Sequence, residues 1–158
     1  MRDKRFVAVH RGGPLTKEKH RMLINWSVVC AEHLLTYFDE ESIDDRLYDA
    51  LKVAKAWERG ETCVGEARRA ALAAHAAAKD ASSPAITAAA RAVGHTVATA
   101  HMADHSIGIV YYGLKAVKAL AKLGKPVEDE QKWQVEHLPP EVRELVLSAL
   151  DSRASKKK

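Results

Sequence analysis

The sequence predicts an all-α protein, a single compact bundle of about five to six helices with alanine-rich central helices. Three observations carry that expectation. Apolar residues recur at three- and four-residue steps along most of the chain. The alternating pattern of a strand is absent. Capping residues and glycine or proline stops cut the chain into segments of helical length. With 158 residues, one domain and one core are expected. Residues 1–152 are read as that domain and 153–158 as a basic, frayed tail.

After the "RGGP" turn, Thr16 is placed to cap a first helix running to about Phe38. Its apolar stripe is Leu23, Trp26, Cys30, Leu34 and Tyr37, with His33 beside it. "DEESIDD" interrupts the stripe, and Asp44 or Asp45 caps a second helix with Leu47, Leu51, Ala54 and Trp57 inward. Gly60 fits the C-terminal end of that helix. A third helix, about Val64 to Ala81, is nearly pure alanine and is expected to sit centrally. Ser83 as N-cap with Pro84 at the first helical position starts a fourth, whose inner face is Ile86, Ala90, Val93, Val97 and Ala100. Gly94 inside it predicts close contact with another backbone. A fifth helix begins near Gly108, with Val110, Leu114, Val117 and Ala121 on one side, and ends at Gly124 and Pro126. Its lysines 115, 118, 122 and 125 form a solvated row. "EDEQKWQVEH" is ambiguous, and Pro139-Pro140 opens a last short helix through Leu150.

Composition narrows the function classes. Hydrophobic residues at 47% and charged residues at 29% describe an ordinary soluble domain. No apolar run approaches the roughly 20 residues of a membrane span. The start "MRDKRFVAVHRGGP" has no apolar leader core, and Cys30 and Cys63 ask for no oxidising compartment, so a cytoplasmic protein is expected. The formal charge of +4 is carried by Arg153, Lys156, Lys157 and Lys158. Without them 21 basic residues face 21 acidic ones, and the body is neutral. Nucleic acid therefore ranks low as a partner, since a basic tail alone makes no recognition surface.

The polar stretch that most needs an account is "GHTVATAHMADH". On one helix, His101 and His105 stand a turn apart on the same side, with Asp104 about 60° away. His95 lies about 120° round from His101 and is expected outside their site. Two readings compete. In one, His75, His101 and His105 form a hydrogen-bonded network inside the bundle, with Asp104, Asp44, Asp45 and Arg68 as partners. In the other, His101, His105 and His75 hold a divalent metal, as histidines at i, i+4 do when a third ligand arrives from elsewhere. No cysteine pair and no HExxH motif accompanies them, and no catalytic residue is assigned. "DDR" (Asp44, Asp45, Arg46) at a helix start is explained in part by capping and the helix dipole. The acidic run through Asp39, Glu40 and Glu41 is either a solvated loop or a partner-binding surface.

Taken in order, "HRGGPLTKEKHRMLINWSVVCAEHLL", "DDR", "AKAWERGE", "GEARRAALAAHAAAKDA" and "AVGHTVATAHMADH" resemble the Imm-five-like immunity proteins, from about His10 to Tyr112. "WQVEHLPPEV" is a looser echo. The resemblance implies an all-helical bacterial protein of the kind encoded beside toxins of polymorphic toxin systems, one that binds its cognate toxin and neutralises it. The positions carrying the recurrent polar motif are Asp44, Asp45 and Arg46, with Trp26, Glu32, His33, Trp57, Arg59, Gly60, Arg68, His75, His95, His101, Asp104 and His105. Cys63 stands where a cap-like serine is expected.

The leading expectation is thus a non-enzymatic inhibitor without a cofactor, its partner a protein toxin for which a basic nuclease would suit the acidic run. A metal-binding helical protein or metal-dependent enzyme built on the histidines is the alternative. A scaffold or regulator that self-associates through its alanine faces as a homo-oligomer is a third.

Overall fold

The structure is a computed structural model and describes residues 3–156. Seven α-helices are present among the described residues: α1 Lys17–Leu35, α2 Asp45–Glu58, α3 Val64–Asp80, α4 Pro84–Ala98, α5 Gly108–Lys122, α6 Glu130–Glu136 and α7 Pro140–Lys156. No strand occurs among those residues, and the single β-bridge, Ala8 to Leu15, closes the "RGGP" turn. The class is all-α, with one helix more than the upper expected number. The additional one is α6, which arises from the stretch whose sequence was ambiguous. The last helix runs to Lys156 rather than Leu150, and Lys157 and Lys158 lie outside the described residues.

Local chemistry sets most boundaries. The Thr16 hydroxyl accepts from the Lys19 amide at 3.2 Å, and the Ser83 hydroxyl accepts from the Ile86 amide at 3.2 Å, with Pro84 first in the helix. Gly60 ends α2 at φ 77°, a left-handed conformation that a side chain resists, while the Glu61 amide reaches back to the Ala56 carbonyl. Gly124 repeats the arrangement after α5, with the Lys125 amide on the Leu120 carbonyl. The first helix ends at Leu35, short of Phe38, where the Thr36 hydroxyl donates to the His33 carbonyl and a turn follows.

The central helix is α4 and not α3. Ten of the fifteen residues of α4 are buried, and it packs most extensively against α3 on one side and α5 on the other. Only five of the seventeen α3 residues are buried, all alanines. The reason is compositional: α3 spreads Glu66, Arg68, Arg69 and Lys79 round its outer face, and Leu72 is exposed among them. The core beside α4 is filled by the larger side chains of α1 and α2, including Leu23, Ile24, Trp26, Leu34 and Leu47.

The fourth helix also stops earlier than its pattern implies. It ends at Ala98, a turn covers Thr99 to His101, and a 3-10 helix spans Ala103–Ile107. The stop comes from another part of the chain. His20 on α1 places its Nε2 2.5 Å from the Thr99 carbonyl, and the Thr99 hydroxyl bonds back to the His95 carbonyl at 3.1 Å. Two carbonyls near the helix end are thereby satisfied, and Met102 leaves in extended conformation.

Candidate functional site

The bend at Thr99–Met102 assembles the histidines differently from a continuous helix. His101 and His105 remain neighbours, with ring centroids 5.3 Å apart. His95, expected to stand outside, is drawn in: its Nδ1 is 3.3 Å from that of His105 and its ring lies 5.0 Å from Tyr112. His75 from α3 completes the row, edge-on to His95 at 5.6 Å. Four half-buried imidazoles from three successive segments thus touch in the order 75, 95, 105, 101.

Two glycines make room for them. A Cβ on Gly94 would sit 2.6 Å from His75 Cε1, and one on Gly108 would sit 2.6 Å from the ring of His95. The close approach foreseen at Gly94 is therefore to an imidazole and not to a backbone. The expected carboxylate partners are elsewhere. Asp104 makes no hydrogen bond or ion pair with the described residues, and Asp45 and Arg68 are exposed. Instead Arg91 Nη1 donates to His75 Nδ1 at 2.9 Å. Burial and the neighbouring cations favour the neutral form of His75 and His95. Burial, reinforced by His105 and His75 and by Arg153 and Arg91, brings His95 down to about 4. His75 is lowered by burial and then by Arg91, His105 and Lys79. Among the described residues no group of three or more His, Cys, Asp or Glu side chains is arranged to hold a metal ion.

"DDR" acts as a strap. Asp44 caps α2 by accepting from the Arg46 amide at 2.9 Å, and its carboxylate also takes the Arg46 guanidinium. These bonds hold Asp44 down to about 2. Arg46 Nη2 then reaches Asp80 at 2.9 Å, joining the start of α2 to the end of α3. Asp39, Glu40 and Glu41 are exposed on a 3-10 turn (Glu40–Ser42) between α1 and α2. Glu32, another motif position, pairs with Lys55 at 2.7 Å.

A second polar centre escaped the sequence reading, apart from His33 and Trp26. Glu130 and Gln134 on α6 are fully buried. His33 Nδ1 lies 3.1 Å from one Glu130 oxygen and 3.3 Å from the other, and Gln134 Nε2 donates to Glu130 at 3.3 Å. Burial raises the Glu130 carboxyl above its usual range, with His33, Gln134 and Tyr37 opposing. Trp26 Nε1 donates to the Gln134 carbonyl at 2.8 Å. His33 stacks on Trp133 at 3.7 Å and 6°, and His137 stacks on the same indole at 3.7 Å and 19°. Two rings that close to one centroid would overlap on a single face, so they sandwich the indole. The available signal was Gly113, where a Cβ would meet Gln134 Nε2 at 2.8 Å, but a glycine alone names no partner.

These features define a small helical bundle whose histidines and buried carboxylate are engaged with one another. Residues 13–141 match the family described as Imm-5 like putative immunity protein, and the chain belongs to that family. No curated protein and no solved structure matches it.

Proposed function

We propose that this chain binds the toxin encoded beside it and blocks it by occlusion, without catalysis, in the cytoplasm of the cell that makes both. Membership of an immunity-protein family over residues 13–141 carries the reading. The inward engagement of His75, His95, His105 and Glu130 supports it, because groups packed ring to ring or against each other leave little freedom for acid–base work on a substrate. The exposed acids Asp39, Glu40 and Glu41 are the proposed steering charges for a basic toxin such as a nuclease.

Stoichiometry separates occlusion from catalysis. The toxin domain encoded next to the chain is titrated with purified protein while its activity is followed. Occlusion gives a linear fall to zero at one equivalent and a stable complex on size exclusion. Complete inactivation by a few hundredths of an equivalent would make the chain an enzyme, and no inhibition at any ratio would remove the immunity reading.

A further inference from the structure

A cleft of about 740 Å³ opens where the N-terminal segment crosses the start of α1 and the end of α2. Leu15, His20 and Trp57 are among its lining side chains, with the Trp57 ring 4.7 Å from His20. Val9 and Val64 also line it, and both are exposed, at 57% and 37%. Isolated exposed valines need no explanation, but two on one apolar cleft form a patch that water covers poorly.

The charge in this cleft has one sign. His10, Lys17 and Arg21 line it, and no carboxylate does. Arg21 is the telling residue. Its Nε is buried without a hydrogen-bond acceptor, and its guanidinium forms no ion pair among the described residues. The other half-buried arginines among the described residues are satisfied: Arg46 by Asp44 and Asp80, Arg91 by His75. Arg21 rests beside Gly60, whose Cβ would lie 3.5 Å from its Nη2, so the partial negative charge at the end of α2 offsets some of its cost. The Nε proton is still left without an acceptor, an expensive state for a buried donor.

We infer that this cleft is the anchor point for a loop of the partner protein carrying an aromatic or aliphatic side chain next to an aspartate or glutamate. The apolar side chain fills the space between Trp57, Val9 and Val64, and the carboxylate pairs with the cations of Lys17 and Arg21 that line the cleft. Charge complementarity to Lys17 and Arg21 argues for an acid, while the apolar walls argue against a bare phosphate or a nucleic-acid backbone, which call for clustered cations. An apolar pocket with one desolvated charge is the setting in which interface energy concentrates. The inference rests on the immunity reading for the identity of the partner, the toxin, and deepens it by naming a surface. The acidic turn is a different place: it lies at the other end of α1, whose 19 residues span roughly 28 Å.

The test has two arms. In the first, N-acetyl-Phe-Glu-amide and N-acetyl-Phe-Gln-amide are titrated into the ¹⁵N-labelled full chain while the Trp57 indole N–H and Arg21 Nε–H signals are followed. A saturable shift is expected, with the glutamate peptide binding about fivefold more tightly and Arg21→Gln erasing the difference. Absence of a Trp57 shift, or equal binding of both peptides, overturns the inference. In the second arm, Val9→Glu and Val64→Glu, both at exposed positions and checked for retained helicity, are compared with Leu72→Glu on the outer face of α3. Both cleft variants should weaken toxin binding about tenfold through faster dissociation, and the control should not. Toxin binding by wild type and cleft variants alike would sink the cleft assignment and leave the immunity reading standing. Absence of binding by wild type would sink that reading and the toxin as occupant, whatever the peptides do.

Discussion

His95 and His105 are ten residues apart in the chain, yet their Nδ1 atoms meet at 3.3 Å. A bond between two imidazole nitrogens needs one to donate and the other to accept, so at least one ring must be neutral. His75 on α3, Tyr112 on α5 and the cations Arg91 on α4 and Arg153 on α7 act on His95 as well. The sign of the pH dependence follows. The folded His95 sits near 4 and the unfolded one near 6.5, so the unfolded chain takes up a proton first. The His95 contribution is full above pH 6.5 and is lost on the way to pH 4, about 1–2 kcal/mol once solvent screening of the half-buried ring is counted, with His75 adding in the same direction. Urea midpoints at pH 7.5, 6, 5 and 4 measure it. A His95→Gln variant should flatten the curve.

Gly94 offers a second test, because two effects oppose each other there. Alanine in mid-helix gains up to about 1 kcal/mol over glycine. The new methyl group, however, would sit 2.6 Å from an imidazole already held by Arg91 and His95. Overpacking wins, and Gly94→Ala should destabilise by about 1–3 kcal/mol. In the His75→Ala background the same change should be neutral or stabilising. A double-mutant cycle in denaturant reads the coupling directly.

The buried pair on α6 predicts the opposite pH behaviour. His33→Ala leaves the buried Glu130 without its nearest hydrogen-bond partner and should cost about 1–3 kcal/mol at pH 7. Burial raises the folded Glu130 carboxyl, which takes up a proton on acidification and loses the penalty. The deficit of His33→Ala relative to wild type should therefore shrink between pH 7 and pH 5. A constant deficit would show that the lost stacking on Trp133, and not the lost partner of Glu130, dominates.

The steering role of the acidic turn is kinetic. Reversing Asp39, Glu40 and Glu41 to lysine should slow association with the toxin about tenfold at low salt and much less at 0.5 M. Stopped-flow rates at two ionic strengths suffice. Rates unchanged at low salt would leave the turn as a solvated loop.

The metal reading of the histidines has a direct test as well. Elemental analysis of the chain purified without a histidine tag should find no stoichiometric divalent metal. One metal per chain, lost in His101→Ala, would restore the ligand set His101, His105 and His75.

Boundaries governed by neighbouring residues were readable in advance. Thr16, Ser83-Pro84, Gly60 and Gly124 act through bonds that close within a few residues, and each lies where the sequence placed it. The end of α4 was not readable, because the apolar pattern continues to Ala100 while the stop depends on His20, 79 residues away. That one distant contact decides which histidines meet, so the sequence identified three of the four ring partners and excluded the fourth. The α6 site was hidden for another reason. Glu130 and Gln134 look like solvent-facing residues until His33, Trp26 and the Ile109 carbonyl are placed opposite them. Likewise the bond from Arg46 to Asp80 needs the end of α3 brought beside the start of α2, which no local pattern announces.

The indole of Trp133, held between two imidazoles, turns α6 into its own reporter. A helix of seven residues has no standing apart from the surface it docks on. Undocking must therefore unstack Trp133 from His33, bringing a change in emission as the ring enters water. Because the connecting stretch before α6 is largely exposed, that event can precede global unfolding, and amide exchange should find α6 opening ahead of α4.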